Sequence, residues 1–291
     1  MFIDCFSKKL SLLGIVGVGL MSSLFAQGMP SEVVVALKPD KDPDKMFAER
    51  TSLAEALGKS LGRPVKVIVP LSSAVILEGL ANGSIDLGYL SATDMLNARK
   101  SKAGEMLLVG EIDGQRHYQS FWLCLRDKSY ASVSDLRGKP IAFASRTSTS
   151  GYLIPLLDLK TRGLIEAKPE EFFGEVWFGT GYMSGVERVL AGEAEAAAVS
   201  DYVFEKDKHL TPDQKARLKV MAKQGPVPTH VLSVSSRLAP DVREQLRKAV
   251  LDFSETNAAL RDAVFTSKLV KADAETHLAP VVKAIELTQG K

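Results

Sequence analysis

The segment Ser148-Thr149-Ser150-Gly151-Tyr152 has the residue types and spacing that best fit a chemical task. It follows a short apolar run, 140–144, that is predicted to be a strand, and it precedes a helix-like apolar run, 153–159. Small hydroxyl residues at a helix start offer side-chain donors and free backbone N–H groups at the positive end of the helix dipole. The segment therefore predicts a binding site for a small oxyanion. An ordinary helix cap, worth about 1 kcal/mol, is the simpler alternative.

A second candidate is the thiol of Cys124. The other cysteine, Cys5, lies in an N-terminal segment that is expected to be removed, so no internal disulfide is predicted. Cys124 stands in an apolar run, 121–125, where a buried, inert thiol is the simpler interpretation. Alternation along this predicted strand places Tyr118, Ser120, Trp122 and Cys124 on one side. A cleft-facing Cys124 that acts as a soft ligand therefore stays open as the alternative.

The remaining candidates are histidines. His117, His209 and His277 do not have the spacing of metal ligands, and we expect neither a metal nor a cofactor. His230 is interpreted either as a structural histidine at a strand start or as a donor that strengthens ligand binding as the pH falls. The chain has no Gly-x-Ser-x-Gly elbow and no Walker loop, so we expect it not to be an enzyme.

The elements that position these residues alternate between short β-branched runs and amphipathic stretches, which favours an α/β fold with mainly parallel sheets. Leu53, Leu57 and Leu61 share one helix face, and Ser72 begins a second helix. Ligand groups are then expected at the carboxyl ends of the strands. The predicted strands are 33–37, 65–69, 85–90, 106–112, 118–125, 140–144, 175–178, 196–199, 218–222 and 230–235. The predicted helices are 53–61, 72–81, 151–162, 183–191, 202–208, 241–255 and 273–286.

Two similar α/β halves, with chain crossings near 114–126 and 223–230, predict two lobes around a cleft. We expect a first lobe built from 27–115 and from a return segment, 226–291, that includes the C-terminal helices. The second lobe, with the hinge crossings, is expected at 116–225. A single doubly wound sheet is the alternative.

The N-terminal segment 1–26 has the layout of a secretory signal. Lys8 and Lys9 precede an apolar stretch, and Ala26 is a plausible cleavage residue. A retained membrane anchor is the alternative. Of the 37 basic and 35 acidic residues, Lys8, Lys9 and Asp4 lie in this segment, so a net charge near +1 remains. This balance does not favour nucleic acid as a partner, and we expect an exported, periplasmic monomer.

Four blocks of sequence carry a resemblance to a known family: 85–90 (Ile-Asp-Leu-Gly-Tyr-Leu), 118–120 (Tyr-Gln-Ser), 134–139 (Ser-Asp-Leu-Arg-Gly-Lys) and 148–155 (Ser-Thr-Ser-Gly-Tyr-Leu-Ile-Pro). With them the chain, over roughly 32–255, resembles the periplasmic binding proteins of phosphonate, phosphite and phosphate ABC transporters. The resemblance implies a two-lobed, hinge-closing protein of the type II class. It also implies a ligand between the lobes and an ABC permease as partner.

The resemblance further implies a set of ligand-binding positions. Ser148, Thr149 and Ser150 match its oxyanion motif, and Tyr118 matches an aromatic residue near the ligand. Other positions depart from the family pattern: Ser72 replaces a tyrosine, Tyr182 a histidine and His230 a carboxylate, while an acidic residue falls at Asp201 or, with a one-residue shift, at Tyr202. Because carboxylates would face an ammonium group, their loss argues against a ligand with a cationic tail.

Arsenite-sensing relatives of this family provide the second functional hypothesis. They bind trivalent arsenic and work with a membrane histidine kinase. A pocket that has lost carboxylates would tolerate such a ligand if Cys124 supplied the soft donor.

Overall fold

The computed structural model describes residues 28–38, 43–206, 209–265 and 267–288. Within these ranges the strands form one sheet of six strands and another of five. Two sheets confirm the predicted two-lobed α/β architecture, and the single-sheet alternative is wrong. The predicted signal segment, 1–26, lies outside the described residues.

The first lobe is built on the six-stranded sheet, in the order β11-β4-β10-β3-β1-β2. Helices α1, α8 and α9 pack on one face of this sheet, and α2, α3 and α10 pack on the other. Its elements are β1 (Val33–Ala36), α1 (Pro43–Leu61), β2 (Val65–Ile68), α2 (Ser73–Asn82), β3 (Leu87–Leu90), α3 (Ala92–Lys100), β4 (Gly104–Glu111), β10 (Val231–Ser235), α8 (Pro240–Thr256), α9 (Ala258–Phe265), β11 (Lys268–Val270) and α10 (Ala274–Thr288).

The second lobe is built on the five-stranded sheet, in the order β7-β6-β8-β5-β9. One face carries a core of aromatic rings, in which Trp122 lies 5.5 Å from Phe143 between ring centroids. The other face packs against α5. The elements of this lobe are β5 (His117–Leu125), β6 (Pro140–Phe143), α4 (Ile154–Thr161), β7 (Glu175–Phe178), α5 (Tyr182–Ala191), β8 (Ala196–Ser200), α6 (Asp201–Glu205), α7 (Pro212–Arg217) and β9 (Leu218–Pro228).

The sheets are mixed, so the prediction of mainly parallel sheets is wrong. Strand β1 runs parallel to β2 and β3, but β10 is antiparallel to β3 and β4. In the second lobe β5 is likewise antiparallel to both of its neighbours. The reason is topological. The chain leaves the first lobe along β4 and returns along β10, so these two strands must run in opposite directions, as must β5 and β9.

The two chain crossings lie side by side. The first is a tight turn in which Asp113 and Gly114 have positive φ angles of 51° and 75°, the backbone twist that suits a two-residue hairpin. In the second crossing Thr229, which is 3 % exposed, donates its hydroxyl to the carbonyls of Gly110 at 2.6 Å and Arg116 at 3.0 Å. The Thr229 amide also donates to the Arg116 carbonyl, at 3.1 Å. These bonds fix the two crossings to each other.

Helix α10 contacts both lobes. It packs against α3 of the first lobe and against α4 and β9 of the second. Arg99 of α3 pairs with Glu275 of α10, and the Lys160 ammonium of α4 donates to the carbonyl of Leu287. The lobes are therefore joined along one edge by a helix as well as by the crossings.

We expect Thr229→Val to destabilise the protein by about 1–3 kcal/mol while keeping the side-chain shape. It removes the hydroxyl donor to the Gly110 carbonyl and one of the two donors to the Arg116 carbonyl at a buried crossing. Urea unfolding measures the difference. Thr161→Val, at the exposed end of α4, is the matched control and should change stability by less than about 0.5 kcal/mol. Equal, small effects of both substitutions would show that the bond between the crossings contributes nothing.

Candidate ligand-binding site

The hydroxyl segment forms an unusual helix start. Ser148 is the N-cap, and its Oγ accepts a hydrogen bond from the Gly151 amide at 3.0 Å. Residues Thr149–Leu153 then form a π-helical turn in which the Leu153 amide donates to the carbonyl of Ser148, at 3.0 Å. Such one-turn π segments are common at functional sites. The predicted helix start is therefore present, but it is wider than an α-helical start.

Pro155, two residues beyond this turn, determines how the turn is held. Proline has no N–H, so it cannot donate to the carbonyls of Ser150 or Gly151 one turn earlier. Those two carbonyls accept bonds from outside the helix instead: Ser150 O from Ser120 Oγ at 2.6 Å, and Gly151 O from the Ala144 amide at 3.2 Å. The segment is consequently fixed to strand β5 and to the end of β6.

Gly151 is required by close packing. A Cβ at this position would lie 2.5 Å from the Cβ of Ala144 and 3.1 Å from Cε1 of Tyr182. The absent side chain therefore lets the turn lie directly on β6 and next to the ring of Tyr182.

The turn presents a cluster of donors. The Ser150 hydroxyl shares a hydrogen bond of 2.7 Å with the Tyr182 hydroxyl and accepts one of 3.4 Å from Tyr118. Among the described residues, the amides of Thr149 and Ser150 have no protein acceptor, as expected for the first turn of a helix. Phenols, an alcohol and two amides at a positive helix end make a site for an anion or a neutral oxyacid.

The Tyr118 phenol remains protonated in this site. Burial raises its pKa well above 10, and the neighbouring Tyr182 hydroxyl adds to the shift. Tyr118 therefore acts as a neutral donor and brings no negative charge to repel an anion.

Asp201 lies beside the cluster, but its carboxylate is engaged in structural bonds. One oxygen accepts the Gln119 amide at 2.9 Å, and the other accepts the Tyr202 amide at 2.7 Å and the Ser200 hydroxyl at 3.2 Å. Asp201 thus joins β5 to the start of α6. The ring of Tyr202 packs edge-on against Tyr182, with centroids 5.8 Å apart.

His230 lies at the second crossing and stacks on Tyr89, with ring centroids 5.3 Å apart. Burial, and then the positive charge of Lys38, lower its pKa to about 3. The ring is therefore neutral at neutral and mildly acidic pH. This favours the interpretation of His230 as a structural histidine over that of a donor that gains charge and strengthens binding as the pH falls.

Two predicted residues, Ser72 and Cys124, form no hydrogen bond to this cluster in the described part of the chain. Ser72 is the exposed N-cap of α2 and makes no capping hydrogen bond with its side chain. Cys124 is fully buried among apolar residues that include Trp122. Alternation correctly predicted the side of β5 on which Cys124 lies. However, Cys124 is six residues beyond Tyr118, and six residues of a strand span roughly 20 Å. Cys124 therefore lies in the lobe interior, well beyond Tyr118.

The sequence interpretation missed two residues that bond to the site and one cation at the sheet edge that faces it. Thr93, in the first turn of α3, shares a hydrogen bond of 2.7 Å with Thr149 across the two lobes. Gln224 donates to Ser120 Oγ at 2.8 Å. The cation is Lys38, the second residue after β1. Thr93 and Lys38 both lie just beyond strand carboxyl ends, so that rule, applied to every strand, would have found them.

The model of one family, described as the periplasmic substrate-binding protein of the phosphonate ABC transporter, matches residues 35–277. The chain belongs to this family. The recognition made from the motifs is therefore confirmed, together with the periplasmic binding protein fold.

Individual relatives of this substrate-binding family are distant. The phosphate-import protein PhnD of Mycolicibacterium smegmatis is 25% identical over 234 residues, which cover 77% of this chain and 73% of that protein. Among solved structures, XAC2383 from Xanthomonas citri bound to ATP has a TM-score of 0.76 at 19% identity, covering 89% of this chain and 99% of that one. PhnD1 from Prochlorococcus marinus in complex with methylphosphonate has a TM-score of 0.73 at 18% identity, covering 88% and 97%.

The described residues contain neither a candidate metal site nor a candidate membrane-spanning helix. Among the described residues, no group of three histidine, cysteine or acidic side chains could hold a metal ion. None of the described helices combines the length and the apolar character needed to cross a membrane. The alternative of a retained anchor concerns residues outside the described ranges.

We expect the low pKa of His230 to make stability fall as the pH falls. The unfolded chain takes up this proton near pH 6.5 and the folded protein only near pH 3, so acidification between these values favours unfolding. Between pH 7 and pH 5 the loss attributable to His230 is up to about 2 kcal/mol. His230→Gln should remove that part of the loss in urea unfolding experiments at the two pH values.

Thr161→Gln, which introduces the same side chain at an exposed position, is the control and should keep the wild-type pH dependence. His277, whose pKa is also lowered by burial, contributes equally in all three proteins. An unchanged pH dependence in His230→Gln would contradict the assigned protonation state.

Proposed function

We propose that this protein captures a compact phosphorus oxyanion (phosphite, phosphate or a small phosphonate) between its lobes in the periplasm and delivers it to an ABC permease. The observation that carries the proposal is the donor cluster of Ser150, Tyr118 and Tyr182 beside the two unbonded amides of Thr149 and Ser150. Neutral donors held in place by the fold stabilise an anion without the cost of desolvating a charged side chain. Family membership supports both the ligand class and the permease.

The site also favours a ligand without a cationic tail. The Asp201 carboxylate already accepts three protein donors, which leaves only about one of its roughly four acceptor sites for an ammonium group. At the other position where the family would have a carboxylate, this chain has His230, which is neutral and stacked on Tyr89. A tetrahedral anion that bears only oxygen, hydrogen or a methyl group fits this donor set.

Closure of the lobes follows from where the donors lie. Thr149 belongs to the second lobe and Thr93 to the first, and their hydroxyls are 2.7 Å apart. A ligand at 148–150 can therefore bond to groups of both lobes only in the closed form. By binding that form more tightly it shifts the population towards closure, and the closed protein is what the permease would recognise.

Calorimetric titration of the purified protein with phosphate, phosphite, methylphosphonate and 2-aminoethylphosphonate tests the proposal. We expect binding of at least one of the first three and weaker binding of the aminoalkyl compound. Ser150→Ala should weaken the binding of the preferred ligand at least tenfold, because a hydrogen bond to a charged group contributes about 1.5–3 kcal/mol.

Ser134→Ala, at an exposed position with the same change in side chain, is the control and should bind as the wild type does. Thermal unfolding of both variants checks that they are folded. If no phosphorus oxyanion binds the wild type, or if Ser150→Ala binds unchanged, the proposed site is wrong.

The sensory alternative, with arsenite as ligand and a histidine kinase as partner, needs a thiol that reaches the cleft. Cys124 is buried, and burial raises its pKa, which disfavours the thiolate that binds arsenic. We therefore expect Cys124→Ala to leave phosphorus oxyanion binding unchanged, and arsenite not to raise the melting temperature of either protein. Stabilisation by arsenite that disappears in Cys124→Ala would instead favour the sensory hypothesis.

A further inference from the structure

Lys38 is a cation at the edge of the first sheet that faces the second lobe. It follows β1, where the Leu37 amide still bonds to the carbonyl of Ile68 at 2.9 Å. The parallel pairing of Ala36 with Gly88 places the carboxyl ends of β1 and β3 at one edge. The antiparallel pairing of Leu90 with Val231 places the start of β10 there too. Lys38 and His230 therefore lie at the same edge.

Two contacts relate this edge to the donor cluster. His230 stacks on Tyr89, and Tyr89 is close enough to Tyr118 to contribute to the electrostatic surroundings of its phenol. Tyr118 in turn donates to Ser150. On the other side of His230, the positive charge of Lys38 lowers the pKa of the imidazole ring. Lys38 is therefore separated from the donor cluster by a short series of aromatic rings.

The charge of Lys38 is not neutralised within the described part of the chain. No described carboxylate forms an ion pair with it, although the side chain is half-buried. The acidic residue at the head of α3, Asp94, accepts the Ser91 hydroxyl at 2.7 Å and belongs to the cap of that helix. A half-buried cation at the sheet edge that faces the anion site leaves positive potential for the ligand to neutralise.

We propose that Lys38 is a specificity-determining residue that selects ligands with two negative charges over ligands with one, and over ligands that carry a positive tail. The inference rests on the proposed function, since it assigns a charge preference to the same site. The second lobe then supplies neutral, directional donors, and the first lobe supplies the charge. A dianionic phosphonate or phosphite gains from both, whereas the ammonium of an aminoalkyl phosphonate is repelled.

The test varies the charge of the ligand and the charge of residue 38 and measures the dissociation constant for each combination. Dissociation constants are measured by calorimetry at pH 8 for phosphite and methylphosphonate, as dianions, for hypophosphite, as a monoanion, and for 2-aminoethylphosphonate. We expect Lys38→Gln to weaken the two dianions about tenfold or more and hypophosphite less than threefold. Lys38→Glu should weaken the dianions further and improve 2-aminoethylphosphonate relative to methylphosphonate.

Lys66→Gln is the matched control, because it removes the same charge from an exposed position on β2 of the same lobe. It should leave all four constants unchanged within a factor of two. If Lys38→Gln affects mono- and dianions equally, or if Lys66→Gln has the same effect, the inference is overturned while the proposed function stands. If the wild type binds none of these four ligands and no phosphate either, the proposed function itself fails.

Discussion

The structure of the site depends on one constraint, which is the absence of an N–H at Pro155. With the π turn before it, this leaves the carbonyls of Ser150 and Gly151 without a helical donor, and two strands supply donors instead. The bond from Ser120 matters most, because Ser120 also accepts from Gln224 on β9. The oxyanion turn is thereby connected through β5 to β9, the strand that leads into the second crossing. Preorganisation of this kind lowers the ordering cost of binding.

The donors assembled by this turn are neutral, which divides the electrostatic roles between the lobes. In the second lobe, Tyr118 remains a neutral phenol, and three protein donors stabilise the charge of the Asp201 carboxylate. In the first lobe, His230 is also neutral, and Lys38 provides positive charge without a described partner. The second lobe therefore supplies directional hydrogen-bond donors, and the first lobe supplies positive charge. Both act on one ligand only when the lobes are close.

Much of this could be predicted from the sequence, and the exceptions have physical reasons. The hydroxyl motif, its place between a strand and a helix, and the two-lobed class follow from local patterns. Strand direction does not, because an apolar run looks the same in a parallel and an antiparallel pairing.

Helix α3 was missed because its buried positions include small or polar residues, such as Ala92 and Thr93, that give little hydrophobic signal. Alternation gave the side on which Cys124 lies, but not its distance from Tyr118 along the strand. The strand-end rule could have found Thr93 and Lys38, but no local pattern reports the sequence-distant groups on which they act.

The energetics of closure follow from where the lobes touch. Apolar residues of α10, such as Leu278 and Val281, share one core cluster with Leu90 of the first lobe and Leu153 of the second. Rotation that keeps this cluster and the paired crossings intact must open the cleft on the side away from α10. That motion separates Thr93 from Thr149, and a single hydroxyl bond of this kind contributes only about 0.5–1.5 kcal/mol. So small a bias leaves the balance between open and closed forms to the ligand, whose differential affinity for the closed form sets the closed population.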